Sequence, residues 1–193
     1  MALLRLPRTI AACLTVAALT VGLSACGAGE IGTEEIPARE GLSIGVGGVD
    51  YNVFITRELN LRITPDKAYY KGPPAPPGKV LYGVFVESCG ASAKPVRTAA
   101  VHNFVVEDNQ GNEYHPKEMP KDNAFAYQPA VLPKEECTPE PGSIAQQGPT
   151  NGSMLLYEFP LQNTENRPLI LHIEGPYDLL KQSRESKFIE LDL

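Results

Sequence analysis

One stretch of the chain, at residues 79–89, is apolar on both faces and constrains the fold more than any other. The side chains on one face are Val80, Tyr82, Val84 and Val86, and those on the other are Leu81 and Phe85. Alternation with a period of two indicates a β-strand, and a strand with two apolar faces is covered on both sides. The sequence therefore predicts a central strand here, with protein packed against each face.

Further segments with a period of two lie on either side of this strand, at residues 51–63, 101–107, 152–159 and 168–174, and again around Ile189. The chain also has 18 prolines and 17 glycines, scattered between the apolar segments. Short strands with turns about every ten residues are typical of a β-sandwich. We therefore expect an all-β sandwich of about seven to nine antiparallel strands. The link at residues 178–185 is expected to be short and helical, and Leu193 to face inward.

The first 26 residues have the composition of an export signal. Arg5 and Arg8 precede a run at residues 10–23 without a charged side chain, and the sequence Leu-Ser-Ala-Cys ends at Cys26. A short apolar run behind basic residues is typical of a secretory signal rather than of a membrane span. The tetrapeptide resembles the lipobox of bacterial lipoproteins, in which the cysteine is diacylated and the chain is cut just before it. The resemblance implies that residues 1–25 are removed and that lipid on Cys26 holds the protein at a membrane.

This anchor predicts a location and an order of segments. We expect the mature protein on the extracytoplasmic face of the cell membrane; Gly27 in place of Asp also permits the outer membrane in a two-membrane bacterium. Residues 26–41 lack periodicity, so they predict a flexible tether that would reach about 50 Å when fully extended. The folded domain is then expected at residues 42–193.

The charge of the mature chain argues against two classes of partner. Cleavage removes Arg5 and Arg8 from the 17 basic residues, which leaves 15 against 23 acidic ones. An acidic surface does not suit a protein that follows nucleic-acid phosphates, which needs clustered Lys and Arg. It also does not suit a polybasic grip on anionic lipid, so contact with the membrane is expected through the lipid on Cys26.

The four cysteines are assigned by position. Cys13 leaves with the signal and Cys26 takes lipid, which leaves Cys89 and Cys137. Two remaining thiols in an exported domain are expected to form a disulfide. On the chain-entropy model, closing a loop of this length stabilises the fold by roughly 4 kcal/mol. Two free or metal-binding thiols are the alternative, although the pair lacks the close spacing of a zinc knuckle.

A polar, proline-rich loop that begins at Lys117 and ends at Gly148 is the candidate interaction surface. A structureless segment of this length is uncommon in a compact domain, so it is expected to be functional or to be pinned, and Cys137 lies within it. We expect a monomer whose partner, a protein or an envelope polymer, binds there. The alternative functions are a small-molecule or metal receptor and, third, a hydrolase.

No motif in the sequence points to catalysis. The histidines His102, His115 and His172 lack the close spacing of metal ligands. We therefore expect a protein that is not an enzyme and that needs no cofactor and no metal. Oxygen-bearing side chains between Asp108 and Glu113 suggest half of a calcium loop, but a hairpin turn with Gly111 explains the same residues.

The order of the strands resembles a known family. The segments that carry the resemblance are residues 79–87, 104–111, 152–160 and 169–173. Together they resemble a family of uncharacterised extracellular lipoprotein domains, common in Gram-positive bacteria, over residues 45–193. The resemblance implies an immunoglobulin-like (telokin-like) sandwich, and it carries over no catalytic residue.

Overall fold

The computed structural model describes residues 30–180 and 182–192, so the predicted signal at residues 1–25, the predicted lipid site Cys26 and the position Leu193 lie outside the described residues. Within these ranges the chain forms twelve strands and two four-residue helices. The strands are β1 (Ala38–Arg39), β2 (Ile44–Val46), β3 (Val49–Glu58), β4 (Lys79–Gly90), β5 (Val96–Arg97), β6 (Phe104–Glu107), β7 (Glu113–Tyr114), β8 (Val131–Leu132), β9 (Cys137–Thr138), β10 (Ser153–Pro160), β11 (Leu169–Asp178) and β12 (Ser183–Leu191). The helices are α1 (Asp66–Tyr69) and α2 (Ile144–Gln147), and 3₁₀ turns lie at Val101–Asn103 and Leu161–Glu165.

Two sheets pack face to face. Sheet 1 has the order β1-β12-β11-β6-β7, and sheet 2 has the order β10-β4-β3-β2, with β9 paired to the end of β4. A small third sheet joins β5 to β8. The chain is therefore an all-β sandwich, which confirms the predicted fold class. Three of the twelve strands have ten residues or more, whereas five have only two, and β1 pairs with β12 in parallel.

The central strand lies where the sequence predicts it. Val84 and Val86 on one face of β4 are buried in the main core between the sheets. Leu81 and Phe85 on the other face are buried in a second core, which covers the outer side of sheet 2. Because β4 is paired on both edges, by β3 and β10, its backbone groups and both of its side-chain faces are enclosed.

The predicted tether is shorter in the structure. From residue 30 onward the chain lies against the sandwich, because the backbone groups of its strand β1 pair with the edge strand β12. The small side chain of Ala38 is fully buried there, and the Gly32 carbonyl accepts a hydrogen bond from the Phe188 N–H at 3.0 Å. The expected domain boundary at Leu42 therefore lies too late in the sequence.

The end of one strand and the link between two others also differ from expectation. The first long strand ends at Glu58 rather than near Ile63, because the chain leaves the sheet after Leu59 donates to the Leu81 carbonyl at 2.8 Å. The expected helical link at residues 178–185 is wrong, since β11 and β12 continue as a hairpin in which Tyr177 pairs with Arg184. The apolar side chains in that link are exposed, so they offer no buried face for a helix.

Candidate interaction surface

The proline-rich loop from Lys117 to Gly148 begins as a cover for the edge of sheet 2. The Lys117 N–H donates to the Leu156 carbonyl at 2.7 Å, and the Tyr127 N–H donates to the Met154 carbonyl at 2.9 Å. Both acceptors belong to β10, which would otherwise be an edge strand. This part of the loop is therefore held by the sheet itself, and it shields an edge that could pair with another chain.

A disulfide holds the later part of the same loop. Cys89, at the end of β4, is bonded to Cys137 in β9, and the two residues face each other in the strand pairing. The Glu136 carbonyl accepts from the Gly90 N–H at 2.9 Å, and the Glu135 N–H donates to the Gly90 carbonyl at 2.8 Å. Glu87 lies beside the two sulfurs, and these three form the one group of potential metal ligands found in residues 30–180 and 182–192. Since the sulfurs are bonded to each other, they are not thiolate ligands in this state.

A second proline-rich segment, residues 59–78, faces this loop across the outer side of sheet 2. Helix α1 fixes its position through Asp66, which is only 1% exposed. The Asp66 carboxylate accepts from the Asn60 N–H at 2.8 Å and pairs with the Arg57 guanidinium at 2.8 Å. A buried carboxylate needs such partners, so it locks the helix to strand β3.

Aromatic rings join the two segments over β4. The ring of Tyr69 packs edge to face against Phe85 at 5.0 Å and against Phe125 at 4.9 Å, measured between centroids. The Asn123 amide donates to the Tyr69 carbonyl at 2.8 Å, and its oxygen accepts from the Phe125 N–H at 2.9 Å. The two proline-rich segments are thus fixed to each other and to the sheet below.

Between these segments lies a groove of about 530 Å³. One wall comes from the end of α1 and the residues after it, and the other comes from the loop and from α2. The lining residues are Ala68, Tyr70, Lys71, Gly72, Pro120, Asp122, Asn123, Ala124, Phe125 and Ile144. Most of this lining is apolar, with one cation and one anion, and the Ile144 side chain is 67% exposed. The arrangement suits a partner that brings apolar groups and a few polar ones.

The histidines lie apart from the groove. His172, on the outer face of sheet 1, has its Nε2 at 3.3 Å from a Glu107 oxygen and packs edge to face against Phe188. His115 lies 3.9 Å from Glu113, and His102 is in the 3₁₀ turn before β6. Each has its own neighbours, and none of them lines the groove.

The hairpin between β6 and β7 is organised by the buried carboxylate of Asp108. Its donors are the N–H groups of Gln110 and Asn112 at 2.9 and 3.0 Å, the Asn112 amide at 2.9 Å, the Tyr114 hydroxyl at 2.8 Å and the Asn166 amide at 3.0 Å. Burial raises the pKa of Asp108, but the hydrogen bonds from Asn166, Asn112 and Tyr114 together lower it by more. The pKa therefore lies well below the ordinary value of 3.8.

These contacts distinguish between the two sequence interpretations of the hairpin. Gly111 has a φ of +77°, as the predicted turn requires. Both oxygens of Asp108 accept from N–H or O–H donors, so the carboxylate serves the protein's own backbone and side chains. The predicted hairpin is present between Glu107 and Glu113.

Sequence reasoning found one wall of the groove and missed the other. The loop after Lys117 is the predicted interaction surface, whereas no binding role is predicted for the proline-rich segment at residues 69–78. The signal was present in Tyr69 and Tyr70, two adjacent aromatic residues before a proline run. A proline-rich linker does not need large aromatic side chains, so such a pair indicates packing.

Comparisons with known proteins give similarities in structure alone. No family model and no curated protein matches this chain. Similar solved structures include the yjhA protein from Bacillus subtilis, at 8% identity and a TM-score of 0.48, over 81% of this chain and 100% of that one. Another is an uncharacterised β-sandwich protein from Clostridium difficile 630, at 13% identity and a TM-score of 0.47, over 80% and 94%.

A third similar structure is the ycdA protein from Bacillus subtilis, described as a candidate lipoprotein. It has 7% identity and a TM-score of 0.47, over 77% of this chain and 38% of that one. These identities and scores are too low to carry an argument about this chain. Among the described residues, no helix has the length and apolar character to cross a membrane.

Proposed function

We propose that this chain is a lipid-anchored protein of the cell envelope, which binds an extended segment of protein or envelope polymer without catalysing a reaction. The anchor is a diacylated Cys26, and the domain belongs with the uncharacterised extracellular domains of telokin-like, immunoglobulin-like fold that its strand pattern resembles. It acts as a monomer on the extracytoplasmic face of the cell membrane, or on the outer membrane of a two-membrane bacterium. Its 23 acidic side chains do not suit nucleic acid.

The groove between the two proline-rich segments is the observation that carries the binding proposal. Its walls are fixed by Asp66, by the Tyr69 ring and by the Cys89–Cys137 disulfide before any partner arrives. A preformed apolar groove binds with less loss of conformational entropy than loops that must first become ordered. Lys71 and Asp122 supply opposite charges beside the apolar lining, so they provide specificity for a polar backbone.

The size of the groove also favours a second candidate, a receptor for a small molecule. A volume of about 530 Å³ lies within the range of roughly 300–1,000 Å³ that small-molecule pockets occupy. The two candidates differ in what stabilises the isolated domain. A soluble metabolite or metal ion that binds there raises the melting temperature by mass action. If the partner is a polymer, adding metabolites or metal ions to the isolated domain should leave the melting temperature unchanged.

Site-specific crosslinking in cells tests the proposal. A photoreactive residue at position 124, which is exposed in the groove, should capture an envelope partner. The same residue at Leu161, which is exposed outside the groove, is the matched control. Adding Ile144→Glu should abolish the crosslink at position 124, because the new charge opposes an apolar partner. Point substitution is preferable to deleting the loop, since Tyr127 is buried and bonded to β10.

Two results would contradict the proposal. Equal crosslinking at positions 124 and 161 would show that the groove has no preferred partner. A crosslink at position 124 that persists after Ile144→Glu would show that the apolar lining does not bind it. A metabolite that raises the melting temperature, with the effect lost in Ile144→Glu, would favour the small-molecule receptor.

A further inference from the structure

The distance between the predicted lipid and the folded domain is short. Glu30 is the first described residue, and its carboxylate pairs with the Lys187 ammonium in the middle of β12. Three residues lie between Cys26 and Glu30, and the four Cα-to-Cα steps that join them span about 14 Å when fully extended. The expected tether of about 50 Å is therefore not available, and a lipid on Cys26 would hold the bilayer surface close to this edge of the sandwich.

An exposed apolar turn lies within the same range. The hairpin between β11 and β12 extends past the point where the Glu185 carboxylate accepts from the Gly47 N–H at the end of sheet 2. Leu179 and Leu180 in its turn are 81% and 96% exposed, and Tyr177 beside them is 50% exposed. Along β12, Ser183 at the start of the strand lies four residues from Lys187, or about 14 Å. The segment that joins Cys26 to Glu30 can therefore reach the same surface as the turn.

Among the described residues beside the turn, the charged side chains of Arg184 and Asp178 are engaged within the hairpin. Arg184 pairs with Glu174 at 3.8 Å and donates to the Gly175 carbonyl at 3.0 Å. Asp178 accepts from the Leu180 N–H at 2.8 Å. Adjacent leucines beside a tyrosine, at the protruding end of a two-stranded ribbon, combine an apolar tip with an amphipathic ring. Such side chains partition into the boundary between lipid headgroups and acyl chains.

We propose that the turn formed by Tyr177, Leu179 and Leu180 inserts into the surface of the bilayer that holds the lipid on Cys26. This inference rests on the proposed lipid anchor. It adds a second contact that fixes the orientation of the sandwich on the membrane. The hairpin between β6 and β7 lies at the opposite end of sheet 1, because Glu107 pairs with Ile170 at the start of β11. It therefore faces away from the membrane.

A fluorescent probe on the lipidated mature protein tests the orientation. With Cys26 lipidated and Cys89 bonded to Cys137, a cysteine introduced by Ser183→Cys is the sole free thiol for a polarity-sensitive dye. Both Ser183 and the control position Gln110, in the β6–β7 hairpin, are exposed. The protein is reconstituted into vesicles of phosphatidylcholine and phosphatidylglycerol that contain a nitroxide-labelled lipid, after intact mass has shown the added lipid.

We expect the dye at position 183 to shift its emission to the blue and to be quenched by the nitroxide, and the dye at position 110 to show neither effect. Leu179→Ser combined with Leu180→Ser should remove the shift and the quenching without changing the melting temperature, because both side chains are exposed. Equal quenching at both positions, or quenching that survives the double substitution, would overturn the inference while the anchor stands. Crosslinking of position 183 between two copies, without quenching, would overturn the inference by showing that the turn contacts a second copy of the protein and not the bilayer. A mass without added lipid would overturn the anchor and the inference together.

Discussion

Replacing Asp108 with Asn tests whether one buried carboxylate organises the end of sheet 1. The substitution preserves the shape of the side chain and removes its charge. On the Oδ2 atom, Asp108 accepts from the Tyr114 hydroxyl at 2.8 Å and from the Asn166 amide at 3.0 Å. If the amide group of Asn takes this position, it places an N–H donor against groups that donate.

The magnitude follows from these contacts. A hydrogen bond to a charged group contributes about 1.5–3 kcal/mol to stability. The remaining carbonyl of Asn can still accept from the N–H groups of Gln110 and Asn112 and from the Asn112 amide, which also lies 3.1 Å from Oδ1, so the bonds from Tyr114 and Asn166 are lost. We therefore expect Asp108→Asn to lower the free energy of unfolding at neutral pH by about 3 kcal/mol, the lower end of the range for two such bonds. The exposed Asp50→Asn serves as a matched control, with an expected change within about 0.5 kcal/mol.

The effect should depend on pH in one direction. The pKa of Asp108 is lower in the folded protein than in the unfolded chain, where an aspartate has a pKa of about 3.9. The unfolded state thus takes up the proton first as the pH falls. The stabilisation is fully present above about pH 5, and it is lost progressively as the pH falls toward the folded pKa.

Urea unfolding of the Cys26→Ser domain at several pH values measures both quantities. The difference between the parent and Asp108→Asn should be largest between pH 6 and 8 and should shrink below about pH 4. A difference that stays constant down to about pH 3 would refute the role of the charge. A loss below about 1 kcal/mol at neutral pH would refute the claim that the substitution removes two hydrogen bonds to a charged carboxylate.

Three further predictions concern the groove and its supports. Replacing Cys89 and Cys137 together with Ala should lower the free energy of unfolding by about 4 kcal/mol in urea titrations, since the bond closes a loop with a sequence separation of 48; alkylation before reduction should find no free thiol in the parent Cys26→Ser domain. Tyr69→Phe should raise the melting temperature or leave it unchanged, because the buried Tyr69 hydroxyl has no partner among the described residues, and a clear decrease would contradict this. Asp66→Asn should lower the free energy of unfolding by about 2 kcal/mol in the same titration, because it replaces a hydrogen bond between two charged groups with one from Arg57 to a neutral amide, and an unchanged midpoint would contradict this.

The sequence predicts best where side chains carry the information. Strand β4 is recognisable because its apolar residues alternate on both faces, and the structure buries Val84 on one side and Phe85 on the other. The β6–β7 turn is recognisable because Gly111 supplies the positive φ that a hairpin needs. In both cases the local pattern and the final environment agree.

The errors occur where backbone groups decide the structure. Ala38 gives no periodic signal, yet β1 pairs with β12 through main-chain hydrogen bonds that any sequence without proline can make. Conversely, Leu179 and Leu180 suggest a buried helical face, but they lie exposed in a turn. Apolar residues that remain in solvent cannot be distinguished from core residues by composition.

The two faces of β4 also explain why the proline-rich segments are structured at all. A sandwich normally leaves the outer face of each sheet to solvent, but Leu81, Phe85 and Met154 make this face of sheet 2 apolar. The side chains that cover it come from residues 59–78 and from the loop after Lys117, because the second core draws on Tyr69 and Phe125. Their inner sides are therefore part of the fold, and a binding function must use their outer sides, where Ala124 and Ile144 are exposed. Substitutions at those two positions separate binding from stability, whereas removing the loop would change both.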